Sequence, residues 1–350
     1  MVAPTPAELT SVRAVHTGST SMQKSDLRKS GSHWGAEHIE ALHVHRFDDI
    51  ELNRFFGVHM PTDNDPDFIA LRSDLIAATY ENMKRGELGN HLRNNLFFQF
   101  FIHLSKAMTT GQAEDEDDDT SDVRSTPTGS SAEEEPEKHS ELALHDLVGQ
   151  ILGQLDESLN QEWRLQVSDD NLSTRLRIGA NPRHLTLKKA VNDGGIVLAR
   201  TSPATGSLMP GRIPIVSFEA KPRRLGVGLH YQTNQPEPYN EPTFAQELAE
   251  LLGQAFECSQ GNGGDHDGWL ITLHGTRLRL VHANFSEQYL KQVNSRFLRA
   301  DQKLLVWRSK QFNLKYPDGR EDALKALIAL IRSLKAGAFA NGQLAKALGI

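Results

Sequence analysis

Cysteine is almost absent from this sequence, which has Cys258 as the single example among 350 residues. One cysteine cannot form an intramolecular disulfide, and zinc sites built from several thiolates are excluded. Because reduced thiols are typical of cellular interiors, we expect an intracellular protein of the nucleus or the cytoplasm. No apolar run approaches the length of a membrane span, so we expect no membrane partner.

The sequence also lacks several well-defined catalytic motifs. It contains no Gly-x-Ser-x-Gly elbow, no Walker-type phosphate loop, no kinase catalytic loop and no His-Glu-x-x-His. His43 and His45 alternate along the chain, but no further ligand follows at a metal-binding spacing. The enzyme classes that these motifs mark are therefore not indicated, and candidate chemistry has to be sought in other residues.

Negative charge is concentrated in one stretch. Residues 112–137 contain eleven acidic residues and one basic residue, a net charge of −10 against −7 for the whole chain, which leaves +3 for the remainder. Such a segment repels itself and cannot build a core, so it predicts an extended acidic spacer. The alternative is an intramolecular mimic of nucleic acid that covers a basic cleft. The mildly basic remainder permits binding to a polyanion.

Composition and periodicity divide the chain into four parts. Residues 1–31 are rich in Ser, Thr and Lys without periodicity and predict a disordered tail. Residues 32–111 carry helical apolar patterns and predict a helical N-terminal region. Residues 112–140 form the predicted disordered acidic linker. Residues 141–350 form the main predicted domain, which opens with an amphipathic helix over 141–159.

Residues 213–222 predict a buried strand that ends in two charged side chains. Four apolar residues favour burial: Ile213, Ile215, Val216 and Phe218. Because side chains alternate along a strand, Glu219 and Lys221 share one face, and Ala220 points away. Charged groups on a buried strand are costly unless they have partners, so the Glu-x-Lys pair is a candidate site. The alternative is a solvated ion pair at the end of a strand.

A second apolar run lies upstream, directly after Asp193 and two glycines. The Ser-, Pro- and Gly-containing residues 201–212 between the two runs predict a hairpin. Antiparallel pairing brings Asp193 towards Glu219 and Lys221. Mg²⁺ prefers one or two carboxylates together with water and phosphate oxygens, and a lysine beside it can polarise water or stabilise charge on phosphorus.

Asp193, followed by Glu219-Ala220-Lys221 on the next strand, resembles the signature of the PD-(D/E)XK nuclease superfamily, in particular its fungal-type members. The similarity covers residues 141–334, and Asn192 stands where many members have proline. The resemblance implies an α/β fold of the restriction-endonuclease-like type. In that fold a mixed central sheet is flanked by helices, and here a small helical N-terminal region would precede it.

The resemblance also implies roles for individual residues. Asp193, Glu219 and the Ala220 carbonyl would bind Mg²⁺ or Mn²⁺, and Lys221 would assist the water nucleophile. A further acid is expected from the first core helix and its neighbourhood, with four candidates left open: Glu141, Asp156, Glu157 and Glu162. Gln246, on the helix predicted over 243–256, is a candidate for a polar group near the metal.

Basic residues precede Asp193 in the sequence and are candidates to flank a phosphate path: Arg164, Arg175, Arg177, Arg183, His184, Lys188 and Lys189. As surface charges they need no function, and that alternative stays open. The sequence thus predicts a divalent-metal-dependent phosphodiesterase that acts on DNA or RNA. One alternative is a catalytically inactive nuclease-like fold that serves as a nucleic-acid or protein interaction module. Another is a structural α/β domain with a chance Glu-x-Lys.

Overall fold

The computed structural model describes residues 29–86, 88–109, 131–178, 188–221, 241–259, 263–295 and 298–349. Ten α-helices and ten β-strands lie within these ranges. No helix in this part of the chain is both long enough and apolar enough to cross a bilayer.

A mixed sheet of eight strands forms the centre of the described structure. Its members are β1 (Val44–Ile50), β2 (Trp163–Ser168), β5 (Gly195–Thr201), β6 (Leu208–Lys221), β7 (His266–His274), β8 (Arg277–Phe285), β9 (Leu304–Ser309) and β10 (Phe312–Asn313). Their order is β1-β9-β8-β7-β6-β5-β2, and β10 pairs with β8. The predicted α/β class with a large mixed sheet is confirmed. The remaining two strands, β3 (Leu172–Leu176) and β4 (Lys188–Asn192), form a separate antiparallel pair.

Strand direction brings several strand ends to one edge of the sheet. β2, β5 and β6 are antiparallel neighbours, and β6 runs parallel to β7. The connection between β6 and β7 contains a long helix, as a parallel pair requires. β9 is parallel to β1, and β8 is antiparallel to both β7 and β9. The carboxyl ends of β6, β7, β9 and β1 therefore meet at one edge, where Glu219 and Lys221 lie.

Helices cover both faces of the sheet. They are α1 (Ala36–Ala41), α2 (Leu52–Phe56), α3 (Pro66–Leu75), α4 (Tyr80–Lys84), α5 (Phe98–Thr109), α6 (Ser131–Gln154), α7 (Glu241–Cys258), α8 (Glu287–Ser295), α9 (Pro317–Lys335) and α10 (Gly342–Leu348). The apolar side chains of α7 pack against one face of the sheet and form one buried cluster with it. The other face of the sheet is covered by α6, α9 and the N-terminal aromatic residues, which form the second cluster. The β3–β4 pair packs against α7.

The N-terminal region is joined to the main fold and does not form a helical module of its own. Its strand β1 pairs with β9, with Val44 opposite Leu304. The buried Arg320 guanidinium of α9 donates hydrogen bonds to the carbonyl oxygens of Leu75 (2.8 Å) and Ala78. The N-terminal region therefore packs on the later residues of the chain.

Helix α6 begins ten residues earlier than the sequence predicted. It starts at Ser131, so residues 131–140, assigned to the acidic linker, are helical. Composition does not reveal the contacts that hold this stretch on the sheet: Lys221 Nζ donates to Glu137 Oε1 at 2.9 Å, and Ser140 Oγ donates to the Gly275 carbonyl oxygen at 3.4 Å. Residues 112–130 and 1–28 of the predicted linker and tail lie outside the described residues. The last residues of the predicted tail are packed, since Ser30 donates to the Lys189 carbonyl oxygen at 3.0 Å.

Candidate functional site

Asp193 occupies a turn between β4 and β5 that is held from two sides. Its amide N–H donates to the Phe218 carbonyl oxygen and the Phe218 N–H donates to the Gly194 carbonyl oxygen, each at 3.0 Å. On the other side the His145 ring donates from Nε2 to the Asp193 carbonyl oxygen at 2.6 Å. Gly194 adopts a φ of +117°, which favours glycine. The position of Asp193 is therefore fixed by β6 and α6 together.

The Asp193 carboxylate faces the end of β6. Its Oδ2 accepts a hydrogen bond from the Ala220 N–H at 2.7 Å. Phe218 and Ala220 are two residues apart on one strand, so the Ala220 carbonyl oxygen is directed to the same side as its N–H. Burial raises the pKa of Asp193, although this hydrogen bond and the charge of Lys221 act against the shift. Asp193, Ala220 and Lys221 are thus close neighbours, as the hairpin predicted.

Glu219 and Lys221 form a buried ion pair at the end of β6. Lys221 Nζ lies 2.7 Å from Glu219 Oε1 and 2.9 Å from Glu137 Oε1 of α6. Glu219 is 1% exposed and the Lys221 side chain is 27% exposed. Burial opposes the charge on Lys221, but the attraction of Glu219 and the hydrogen bonds to Glu219 and Glu137 raise its pKa above the ordinary value. The ammonium is therefore charged and held between two carboxylates.

Glu219 has further partners on α7. Gln246 Nε2 donates to Glu219 Oε1 at 2.7 Å and to Glu250 Oε1 at 3.3 Å. Within the described part of the chain, neither Glu219 Oε2 nor Glu250 Oε2 accepts a hydrogen bond from an N–H or hydroxyl group. Burial, and then repulsion from Asp193, raises the pKa of Glu219 to about 8. Burial and the charge of Glu219 likewise raise the pKa of Glu250.

Helix α6 presents one stripe of side chains to this site. Glu137, Glu141 and His145 are four residues apart and so share a helix face. Burial raises the pKa of Glu141, with a further contribution from the negative charge of Asp193. Of the four helix-region acids proposed from the sequence, Glu141 is the one that the structure brings to Asp193.

The other three acid candidates lie beyond the end of α6, in its connection to β2. Asp156 follows the end of α6, roughly 22 Å along the helix axis from Glu141 at about 1.5 Å per residue. Glu162 pairs with Arg200 at 3.1 Å, and Glu157 lies in the same connection between α6 and β2. Sequence reasoning missed Glu137, which had been assigned to the linker, and Glu250. The spacing of four residues from Glu137 to Glu141 was the signal that was available.

The donor set at this site is suited to a hard cation. Among the described residues, no group of three or more His, Cys, Asp or Glu side chains is arranged to hold a metal ion. The possible ligands are the carboxylates of Asp193 and Glu219 and the carbonyl oxygen of Ala220. Mg²⁺ often takes so few protein ligands, because it keeps several waters and binds phosphate oxygens. Glu219 and Glu250 are buried and their side chains hydrogen-bond to each other, so a proton or a cation beside them would offset the excess of acids over the single Lys221.

Comparison with known proteins adds no family assignment. The chain matches no protein-family model and no curated protein sequence. The relationship to the PD-(D/E)XK nucleases therefore remains a resemblance carried by Asp193, Glu219 and Lys221. Any function has to be argued from the geometry of these residues and their neighbours.

Proposed function

We propose that this protein is a divalent-metal-dependent phosphodiesterase that cleaves DNA or RNA. The observation that carries the proposal is the convergence of Asp193, Glu219 and Lys221 at one end of β6, where the Asp193 carboxylate accepts from the Ala220 N–H and Lys221 Nζ lies against Glu219 Oε1. The restriction-endonuclease-like fold belongs to the same proposal. It is supported by the antiparallel strands β2, β5 and β6, followed by a helix and the parallel strand β7. Its place of action would be the nucleus or the cytoplasm.

Each residue has a role in the proposed reaction. Asp193, Glu219 and the Ala220 carbonyl oxygen would hold Mg²⁺ or Mn²⁺, which supplies Lewis-acid polarisation of the phosphate. Gln246 orients the Glu219 carboxylate by its hydrogen bond. The Lys221 ammonium would orient the attacking water and stabilise the negative charge that develops on the phosphate oxygens. Glu137 holds the ammonium at the same edge of the sheet.

A catalytically inactive nuclease-like module is the second candidate. One observation favours it: Glu137 and Glu219 together occupy the Lys221 ammonium, which would have to release one carboxylate to reach a phosphate. This module would bind nucleic acid or a protein, and it differs from the first candidate in that it cleaves no phosphodiester bond.

Metal binding and cleavage test the proposal separately. Titration calorimetry with Mn²⁺ should show binding to the wild type and a loss of at least about tenfold in affinity for Glu219→Gln, because the isosteric amide removes one anionic ligand. Single- and double-stranded DNA and RNA oligonucleotides, each incubated with Mg²⁺, give the activity. Binding of Mn²⁺ without cleavage of any oligonucleotide would support the inactive module, and absence of Mn²⁺ binding would contradict the metal site.

Lys221→Met tests the role of the ammonium. We expect cleavage to fall by roughly 100-fold or more because a stabiliser of transition-state charge is lost. Mn²⁺ binding should persist, since Asp193 and Glu219 remain. Lys310→Met is a matched control: Lys310 follows the end of β9 and pairs with Asp322 at 2.9 Å. Equal activity of Lys221→Met and Lys310→Met would contradict a catalytic role for Lys221.

A further inference from the structure

The β3–β4 pair has one face that packs and one face that is exposed. Thr174 and Ala190 are buried, and both are close to where a side chain at Gly253 of α7 would lie. Because side chains alternate, Arg175 and Lys189 lie on the opposite face, directly across from each other in the register. The outer face of this ribbon is therefore cationic.

Three basic residues, Arg175, Arg177 and Lys189, lie on or beside this outer face, and Lys188 begins β4 opposite Leu176 at the same end of the ribbon. Arg175, Lys188 and Lys189 are exposed and Arg177 is half-buried. Glu257 neutralises Arg175 in part, at 3.7 Å. Within the described ranges no carboxylate pairs with Arg177, Lys188 or Lys189. Like charges opposite each other on neighbouring strands destabilise the pairing of the strands. A ligand of opposite charge would therefore stabilise the β3–β4 pair.

The cationic face leads directly to the candidate catalytic site. β4 ends at Asn192, and the next residue is Asp193. From Lys189 to Asp193 the chain covers roughly 13 Å at about 3.3 Å per residue. Asp169 and Asp170 are exposed near the Asp193 end, so the positive charge of the ribbon itself is concentrated at the end away from Asp193.

We propose that the outer face of β3–β4 binds the phosphodiester backbone of one nucleic-acid strand and guides it to Asp193. A two-stranded ribbon is wide enough for a single row of phosphates, since neighbouring strands lie about 4.8 Å apart. Continuity with the Asp193 turn favours nucleic acid over an acidic protein, because a phosphate at that turn would be the substrate of the proposed function. This inference rests on the proposed function for its substrate and makes a separate claim about where the substrate binds.

Charge removal on this face tests the inference. The variant Arg177→Gln/Lys188→Gln/Lys189→Gln keeps a polar side chain at each position and removes three charges. The matched control Arg299→Gln/Lys291→Gln/Lys346→Gln removes one arginine and two lysines from exposed positions elsewhere. Both are compared with the wild type by fluorescence anisotropy. The ligand is a labelled oligothymidylate of about 20 nucleotides, longer than the roughly 4–16 that a small domain covers. EDTA prevents cleavage.

We expect the dependence of log Kd on log salt to flatten by about 2 in the ribbon variant, since three phosphate contacts at about 0.7 each are lost. The control variant should keep the wild-type slope. Equal slopes for the two variants would overturn the inference. So would equally tight binding of polyglutamate, which would make the partner an acidic protein, or a duplex that binds more tightly than the single strand.

Measurements of Mn²⁺ binding and of oligonucleotide cleavage separate this inference from the proposed function. Mn²⁺ binding should be the same in the ribbon variant and the wild type, because the substituted residues do not contact Asp193 or Glu219. If the wild type binds Mn²⁺ and cleaves oligonucleotides while the two variants have equal salt slopes, the proposed function stands and the inference about the ribbon is wrong. A loss of thermal stability in the ribbon variant beyond that of the control would also count against it.

Discussion

Burial makes a negative charge on Glu219 unfavourable when the protein holds no cation. Its folded-state pKa of about 8 lies above the value of 4.5 for an unperturbed glutamate. The folded state therefore binds this proton more tightly than the unfolded state does. Stability from this group is fully present below about pH 4.5 and is lost as the pH rises through about 8. A cation beside Glu219 would replace the proton and prevent this loss of stability at higher pH.

Glu219→Gln should flatten the pH dependence of stability in the metal-free protein. Between about pH 5 and pH 8.5 we expect the free energy of unfolding of the wild type to fall by roughly 2–4 kcal/mol more than that of the variant. Urea denaturation in EDTA at several pH values measures this. Mg²⁺ should restore stability at the higher pH to the wild type and not to the variant. Parallel pH curves for both proteins would contradict the assignment of Glu219 as the titrating group.

At the scale of elements, the site depends on how the Asp193–Gly194 turn meets α6. A Cβ atom at Gly194 would lie 2.4 Å from the Ser168 carbonyl oxygen and 2.6 Å from His145 Nε2. These neighbours are a backbone atom of β2 and a buried ring, so neither yields easily. The tight approach is what allows His145 to hold the Asp193 carbonyl.

Gly194→Ala should therefore destabilise the fold and weaken metal binding together. We expect a loss of about 3 kcal/mol or more, since strained φ and steric overlap combine. Gly149→Ala is the matched control, because a Cβ there has no atom within 4 Å and Gly149 lies inside α6. That change should stabilise the protein by about 0.5–1 kcal/mol. Urea denaturation and Mn²⁺ titration check both variants. A Gly194→Ala protein as stable as the wild type would contradict this packing.

At the scale of the whole molecule, residues from both ends of the chain build one fold. β1 forms the edge of the central sheet beside β9. Asp48, just before the end of β1, lies 2.9 Å from the guanidinium of Arg308, which is 1% exposed. Arg320 bridges α9 to the N-terminal carbonyls of Leu75 and Ala78. Removal of the N-terminal region would leave these buried charges without those partners.

A fragment of residues 141–350 should fail to fold cooperatively on its own. The isolated fragment would expose the apolar sheet face that the N-terminal helices cover, and would lose the partners of Arg308 and Arg320. Thermal unfolding followed by circular dichroism should show no sharp transition for 141–350. Co-expression with residues 29–109 should restore it. A cooperative transition of the fragment alone would contradict the interdependence and support the predicted domain boundary.

The sequence by itself determined the features that local patterns encode. Alternation along β6 set Glu219 and Lys221 on one face, because side-chain direction in a strand has a period of two. The apolar runs around residues 196–199 and 213–218, with turn residues between them, predicted an antiparallel hairpin that the register confirms. Apolar periodicity also located α7, predicted over 243–256, within two residues of each observed end.

Tertiary structure alone decided which distant groups meet. Glu137 and Lys221 are 84 positions apart, and Arg320 and Leu75 are 245 positions apart. No local pattern encodes such contacts, which depend on how α6 and α9 pack against the sheet. The same holds for the start of α6: in isolation an acidic, serine-containing segment favours solvent, whereas contact with the sheet and with Lys221 stabilises it as helix. Burial then set the charges of Glu219 and Glu250, because desolvation is a property of the folded environment and not of the residue.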